Sequence, residues 1–305
     1  MYYFIVNPNS GGGKGYRIWR KLERQLKDTC VEYEAYFTTG HGDARDIARK
    51  LTEGCKEARI IIVAGGDGTM NEVLDGLCFC APLTLGYIPG GNGNDFARSL
   101  RLPKNPVRCL QKILYPKYHK LVDYGVLSYG EEEAKHRRFA VSAGIGFDAA
   151  VCHSILHGGS VIKEKGRKLR YLAVGLKQLI KAKPSKGYIL LDGVQKVEFN
   201  HIFFISAHIH PYEGGGFRFA PGAKYDDGKL TLCVAHPSGR WKLLPILIDA
   251  LVGKKKSRPG VRRFECREVT IHLDRPMPVH VDGESCLVQK DIEISCIQKK
   301  MRMIV

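Results

Sequence analysis

Gly65-Gly66-Asp67-Gly68-Thr69-Met70-Asn71 follows the apolar run Ile60-Ile61-Ile62-Val63-Ala64 and precedes the helical spacing of Val73, Leu74 and Leu77. A buried strand that ends in glycines and opens a helix is suited to hold phosphates. Glycine lets the backbone approach an anion closely, and the first N–H groups of a helix donate to it. Asp67 has the wrong charge to touch a phosphate, so a metal ion, a water or a cation must stand between them. The combination implies magnesium–nucleotide chemistry.

Two further segments have the same character. Asn7-Pro8-Asn9-Ser10-Gly11-Gly12-Gly13-Lys14-Gly15 is close to a Walker A loop but fails it, with Gly15 in the Ser/Thr place after Lys14 and Pro8 at the leading glycine. It reads instead as a backbone nest for phosphates with Lys14 as counter-charge. Pro89-Gly90-Gly91-Asn92-Gly93-Asn94-Asp95-Phe96-Ala97 again follows a strand and opens a helix, with Asn94 or Asp95 placed to cap it.

The elements that must position these segments alternate regularly. Strands are expected at Tyr2–Val6, Val31–Thr38, Arg59–Ala64 and Thr84–Ile88, and helices near Lys14–Lys27, Asp43–Leu51, Thr69–Leu77, Asn94–Leu100 and Pro106–Leu114. Strand and helix taking turns predicts an α/β domain with a mainly parallel sheet, whose ligands bind beyond the carboxyl ends of the strands. Beyond about Asp123 strand-like runs dominate: Gly125–Tyr129, Phe139–Ala143, Tyr188–Asp192, Phe199–Ala207, Leu230–Ala235, Glu268–Leu273, Val279–Val281 and Ile292–Ile297. Helical spacing at Lys168–Ala182 and Trp241–Val252 interrupts them. This part reads as a β-rich sandwich. The expected division is 1–123, completed by 292–305, and 124–291.

With 44% hydrophobic and 26% charged residues in 305, the chain suits a globular protein of two domains. The net charge of +17 is unusual. Residues 163–183 and 253–263 carry thirteen of those excess charges, which implies an anionic partner. The ten cysteines include no C-x-x-C pair and read as buried thiols in a reducing cytosol. Met1–Val6 runs directly into a strand without the basic leader of a signal peptide. Leu243 to Val252 is about half of what spans a bilayer and contains Asp249.

The motifs NPNSGGGKG, GGDGTMNEVLDGL and PGGNGNDFARSL occur here in the order and near the separations of the diacylglycerol kinase catalytic-domain family, which the chain resembles. That family includes bacterial lipid kinases and the sphingosine and ceramide kinases. The resemblance continues through Gly144-Ile145-Gly146-Phe147-Asp148, Ala220-Pro221-Gly222-Ala223 with Asp227-Gly228-Lys229-Leu230, and Asp282-Gly283-Glu284. It implies a first domain like that of NAD and diacylglycerol kinases, and MgATP-dependent phosphorylation of a lipid hydroxyl, diacylglycerol above all. The matching nucleotide-site positions are Asn7, Pro8, Asn9, Ser10, Gly11, Thr38, Thr39, Gly66, Asp67, Gly68, Thr69, Asn71 and Asn92. Asn92 stands where the family usually has Thr or Ser, and an amide still donates to phosphate. Asp67, Asp95 and Asp123 match acidic positions that organise Mg2+ through waters. Glu284 matches the general base, with Asp67 beside it in the catalytic set. Asp227, with the main-chain carbonyls of Lys224 and Lys229, matches a structural Mg2+ site.

Positioning, charge neutralisation and a placed base are what phosphoryl transfer needs, so the residue types agree with the resemblance. Two rival readings share some of these features. An NAD kinase shares GGDGT and the two-domain plan, and a non-catalytic nucleotide- or lipid-binding regulator would explain the charge. Other matches carry little. Gly144 to Ala149 fits a dinucleotide fingerprint but lacks the following strand with a terminal acid. His208 and His210, alternate residues on a strand, read as packing or site-lining residues, and His153 with His157, one helical turn apart, lacks a third metal ligand. Leu169, Leu172, Leu176, Leu179 and Ile180, interleaved with Lys168, Arg170, Lys177 and Lys181, predict a basic amphipathic helix that docks on anionic lipid. The expected protein is cytoplasmic and peripherally membrane-associated, with ATP and Mg2+ as cofactors and no nucleic-acid partner. The pattern leaves the oligomeric state open, a homodimer being compatible with it.

Overall fold

The structure, a computed structural model, describes residues 1–130, 133–157, 167–254 and 258–305, without the side chains of 155–157 and 167–173. Two compact units divide the chain, Met1–Val122 with Lys299–Val305 and Asp123–Gln298.

The first unit is built from β1 (Tyr2–Val6), α1 (Ser10–Asp28), β2 (Tyr33–Phe37), α2 (Asp43–Thr52), β3 (Arg59–Gly65), α3 (Asp67–Gly76), β4 (Leu83–Pro89), α4 (Asp95–Ser99) and α5 (Pro106–Leu114). β1 lies between β2 and β3, and β4 flanks β3, all in parallel register. Apolar runs such as Ile60-Ile61-Ile62-Val63 suit strands covered on both faces. On one face the α1 stripe of Trp19, Leu22 and Leu26 packs against Phe4, Val6 and Ile62. Phe4 and Trp19 meet edge to face at 5.4 Å. Each such large side chain contributes roughly 1.5–3 kcal/mol by burial. The C-terminal segment supplies a fifth parallel strand, Arg302 and Met303 pairing with Thr84 and Leu85. Its Met301, Met303 and Ile304 are buried.

The second unit begins within β5 (His119–Tyr129) and continues through β6 (Lys135–Phe139), β7 (Ser142–Gly146), α6 (Phe147–His157), α7 (Arg167–Lys181), β8 (Ser185–Leu191), β9 (Gln195–Ile202), β10 (Phe204–His208), β11 (Leu230–Ala235), α8 (Leu243–Val252), β12 (Val261–Cys266), β13 (Glu268–Val281) and β14 (Glu284–Ile304). The antiparallel order β12-β11-β10-β7-β13-β14 forms its main sheet. The long β13 pairs through Val269–Leu273 with β8 and through Val279–Val281 with β7, with a register shift between His272 and Met277. Alternation sorts its side chains. Ile145, Ile205, Ala207, Leu232, Val234, Val279 and Val281 share one core with Ile189 and Ile271. On the opposite face Phe204, Cys233 and Ala235 pack with Leu179 of α7 and Leu243 and Ile246 of α8.

Several elements differ from the sequence expectation, each for a local reason. The run Phe139–Ala143 breaks at Ala140–Val141, where the Asp282 carboxylate accepts the N–H groups of Ala140, Val141 and Ser142 at 2.7, 2.9 and 2.9 Å. The run Phe199–Ala207 breaks at Phe203, whose N–H turns to Ala235 O. β12 escaped notice because Arg262, Arg263 and Glu265 interrupt it, charges that suit an edge strand. α6 follows β7 without any loop to announce it. Residues 292–298, assigned from sequence to the first domain, lie in the second unit, Ile292–Ser295 pairing with β13. Cys30 and Cys80 are exposed rather than buried, since both sit in turns after helices.

Ile304→Ala opens a cavity in the core of the first unit, with an expected cost of about 2–5 kcal/mol. Urea unfolding followed by emission of buried Trp19, in a background with the exposed Trp241 changed to Phe, measures it. An unmoved midpoint would remove the returning strand from the stability of this unit.

Candidate active site

In the first unit the three glycine segments leave the carboxyl ends of β1, β3 and β4, and backbone bonds tie them together. Asn7 N–H donates to Ala64 O at 2.9 Å and Gly90 N–H to Gly65 O at 2.7 Å. The Asn7 amide donates to Thr69 Oγ1 at 3.0 Å, and its oxygen accepts Asn9 N–H at 3.0 Å. The Pro8 carbonyl accepts Tyr16 N–H at 2.9 Å. Gly11, Gly12 and Gly13 run at φ 62°, 73° and 85°, a left-handed path costing other residues about 1–2 kcal/mol each. The loops nearly touch. A Cβ on Gly11 would stand 2.4 Å from Gly90 O, and one on Gly91 would stand 2.5 Å from Gly66 Cα. Ser10 Oγ is buried here without a hydrogen-bond partner among the described residues, an acceptor-seeking group of the kind an oxyanion satisfies.

Gly68 and Thr69 fall in the first turn of α3, and Asn71 is wholly buried one turn on. Thr38 N–H donates to Val6 O at 2.9 Å, so Thr38 lies beside the first loop. Thr39 donates through both N–H and Oγ1 to Asp43 Oδ2, at 2.7 and 2.6 Å. Those bonds, with one from Gly40 N–H, hold the Asp43 carboxyl below the usual range. Asn92 is exposed at the tip of its loop.

Asp67 accepts the N–H groups of Asp95 and Phe96, at 3.1 and 3.3 Å, at the start of α4. Asp95 is buried and pairs with Arg98. Both carboxylates face the space above Gly93, where a Cβ would lie 2.6 Å from Asp67 Oδ2 and 4.0 Å from Asp95 Oδ2. Two carboxylates around a cradle that only glycine leaves open form a hard oxygen donor set, which fits Mg2+. Burial, then the charges of Asp67 and Asp95, pushes the neighbouring Tyr87 hydroxyl well above its ordinary pKa.

The remaining acidic candidates belong to the second unit. Asp123 is completely buried, donates its N–H to Tyr225 O at 2.7 Å and accepts Gly228 N–H at 2.7 Å. It therefore anchors the segment that holds Lys224, Asp227 and Lys229. Asp227 Oδ1 accepts Lys229 N–H at 3.1 Å within that turn. Glu284 starts β14, directly after a two-residue Asp282-Gly283 hairpin loop with φ 48° and 90°, the type I′ pattern that Asp-Gly favours. Asp282 was not singled out from sequence, yet its carboxylate holds three backbone N–H groups of 140–142 and so fixes the base of the turn.

Sequence reasoning also missed a buried polar cluster in this unit. Ser142, Gly144, Ser206, His208 and His280 occupy the face of the sheet opposite Val279, Ile145 and Ala207. Asp148 and Cys152, one turn apart on α6, and Glu213 reach the same place. His280 Nε2 lies 3.4 Å from Asp148 Oδ2 and 3.3 Å from Glu213 Oε1. His208 Nε2 lies 3.4 Å from Glu213 Oε2 and 2.9 Å from Ser206 Oγ. Burial lifts the Asp148 carboxyl and pushes the Cys152 thiol up to about 12. Burial alone would lower His280, but Cys152, Asp148 and Glu213 together take it well above its ordinary value. The available signal was polar residues at alternate positions of otherwise apolar strands.

Asp148, Cys152 and Glu213 line an open cleft otherwise walled by residues such as Phe147, Leu176, Leu179 and Phe217. Ligand-type atoms of Cys152, Glu213 and His280 lie within 4.8 Å of one another. Nδ1 of His280 faces the Gly283 N–H at 3.2 Å. His153 Nε2 lies 2.9 Å from Val279 O, and the side chain of His157 lies outside the described residues. His210 stacks on Tyr225, and burial lowers it to about 3.

Of the two basic stretches, Lys163 and Lys165 and the side chains of Arg167, Lys168 and Arg170 lie outside the described residues. In the second, Lys254 and Arg258 both pair with Asp249, at 3.0 and 2.7 Å, and hold its pKa at about 2. Arg262 lies over Phe264 and Arg263 donates to Phe219 O.

With this geometry in place, comparison with known proteins is informative. Residues 1–126 match the diacylglycerol kinase catalytic domain, and residues 140–304 the YegS C-terminal NAD kinase beta sandwich-like domain. A "Probable lipid kinase YegS-like" of Chromohalobacter salexigens is 31% identical over 80% of this chain and 75% of its own. A "Diacylglycerol kinase" of Bacillus subtilis is 26% identical over 92% of this chain and 88% of its own. A crystal structure titled as a diacylglycerol kinase from Bacillus anthracis, 24% identical, superposes with a TM-score of 0.73 over 99% of this chain and 96% of that one.

Gly91→Ala forces the Gly66 and Gly91 backbones apart, with an expected penalty of about 1–3 kcal/mol. Calorimetric titration with ATP should show nucleotide affinity reduced roughly tenfold. Equal affinity would separate the approach of these loops from ligand binding.

Proposed function

The chain belongs to the diacylglycerol kinase catalytic-domain family, and we propose that it transfers the γ-phosphate of ATP to a lipid hydroxyl, that of diacylglycerol before others. The observation that carries this reading is the joining of the three glycine segments at the carboxyl ends of β1, β3 and β4 around Asp67 and Asp95. Asn7 to Gly11, Thr38, Thr39, Gly66 to Thr69, Asn71 and Asn92 bind the nucleotide phosphates, mainly through backbone N–H groups. Asp67 and Asp95 would hold Mg2+, which would supply charge neutralisation at the phosphates. Asp227, with the carbonyls of Lys224 and Lys229, holds a structural Mg2+.

Glu284 is the base that takes the proton of the lipid hydroxyl as its oxygen attacks the γ-phosphorus. The apolar cleft behind Asp148 takes the acyl chains, its walls being hydrophobic and aromatic side chains. The protein meets its substrate from the cytoplasmic side, docking on anionic lipid through the basic stretch of 163–183. No helix among the described residues is long and apolar enough to cross a membrane. A second reading, NAD kinase activity, draws on the NAD kinase-like description of the second domain. The lipid kinase relatives and the Asp282-Gly283-Glu284 turn favour the first.

Radiolabelled ATP with diacylglycerol, ceramide, sphingosine, phosphatidylglycerol and NAD separates these readings. Lipid product is expected, reduced roughly 10²–10⁴-fold in Glu284→Gln and abolished in Asp67→Ala. Turnover of NAD alone would reverse the choice, and no turnover of any acceptor would leave a binding protein.

Charge reversal at Lys163, Lys165, Arg167 and Lys168 tests the docking. Each cation near an anionic surface is worth about 1 kcal/mol, so sedimentation with phosphatidylserine vesicles should fall by orders of magnitude. Unchanged sedimentation would move the docking surface elsewhere.

A further inference from the structure

The turn that carries Glu284 is held on a second side, through the ring of His280. Gly283 N–H donates toward His280 Nδ1 at 3.2 Å, while Nε2 of the same ring lies 3.3 and 3.4 Å from Glu213 and Asp148. The ring has room to do this because His280 pairs opposite Gly144. A Cβ at residue 144 would fall 2.2 Å from Asp148 Oδ2 and 2.8 Å from His280 Nε2. His280, Asp148 and Glu213 are all buried. An imidazole buried between two carboxylates and a backbone amide, one residue from a catalytic turn, does more than fill space. Replacing such a cluster by apolar groups is often neutral or stabilising, so its cost is not recovered as stability.

We propose that His280 is a positioning residue, holding the Asp282-Gly283-Glu284 turn from Nδ1 and held in turn from Nε2 by Asp148 and Glu213 on the wall of the cleft. This rests on Glu284 being the base of the lipid kinase reaction. Accepting the Gly283 N–H requires an unprotonated Nδ1, hence a neutral ring with its proton on Nε2. Protonation at Nδ1 removes the acceptor and releases the turn. The groups facing the ring are Asp148 and Cys152 on α6, Glu213, and His208 on β10. The two carboxylates raise the pH at which protonation occurs, by favouring imidazolium. Because the His280 pKa lies well above the ordinary value, the ring is charged at neutral pH, and the turn is held, and kcat rises, only as the pH climbs through the alkaline range above it.

The experiment is a pH profile of kcat at saturating ATP and lipid for wild type, His280→Gln, Asp148→Asn and Glu213→Gln. A small displacement of a catalytic group can lower turnover about 10²-fold. His280→Gln should therefore lose roughly ten- to a hundredfold in kcat with an unchanged KM for ATP, and lose the acid limb that His280 sets. Asp148→Asn and Glu213→Gln should move that limb to lower pH. An acid limb unmoved in both carboxamide variants overturns the proposal, as does a His280→Gln profile equal to wild type. If His280→Gln fails to fold, the carboxamide variants decide. Hydrogen exchange of the Gly283 amide gives a readout that needs no turnover. It should exchange faster in His280→Gln, and equal protection overturns the proposal. A wild type inactive on every lipid, or an active Glu284→Gln, would instead refute the assigned reaction while the exchange measurement still tests the contact.

Discussion

Backbone meets backbone at Gly66 and Gly91, and the joining of the glycine segments of the first unit depends on that approach. The parallel pairing of β3 with β4 reaches Gly65 opposite Pro89, and one more bond, Gly90 N–H to Gly65 O, carries the pairing into the loops. Side chains at these positions would wedge the loops apart before any ligand arrived. Because the loops are joined by main-chain bonds, the fold itself fixes the directions of their N–H groups. Asp67 belongs to the same construction. Its carboxylate accepts the first amides of α4, so one residue starts α3, fastens the next helix and presents an anionic edge above Gly93.

The second unit solves a different problem, that of keeping polar groups inside a sheet covered on both faces. Alternation sends Val279, Val281, Ile145 and Ala207 to one core and leaves His280, Gly144, Ser206 and His208 on the other side. There a carboxylate from α6 and another from Glu213 offset the histidines. Desolvation and ion pairing oppose each other in such a place, and at His280 the pairing wins. A single proton therefore has large leverage over geometry, more than it would have among solvated side chains.

Much of this was legible in the sequence, and the reasons differ from place to place. The α/β half could be read because Ile60–Ala64 and the glycines after it are local signals, each complete within a dozen residues. Thr69 as the partner of Asn7 was not legible, since no periodicity couples residues so far apart. The break at Ala140 was invisible because its cause, Asp282, is more than a hundred residues away. β12 was hidden by its own charges. Glu284 was found through Asp-Gly-Glu, whereas Glu213, in a Gly-rich stretch with no regular spacing, gave no local sign that it would be buried against two histidines. Local chemistry is written in short words, while buried polar clusters are assembled from single letters on separate elements.

The returning strand has a consequence for how the molecule comes into being. Arg302 pairs with Thr84, contacts separated by more than two hundred residues, so the first unit acquires its fifth strand only after the whole second unit has been synthesised. Until that segment is made, β4 presents a row of unmatched amides and carbonyls along the side that β14 later covers, the kind of edge that recruits foreign strands. Nascent chains that stall before that segment would then carry a nearly finished α/β fold with an adhesive border, and quality control would meet them as aggregation-prone species rather than as short working enzymes.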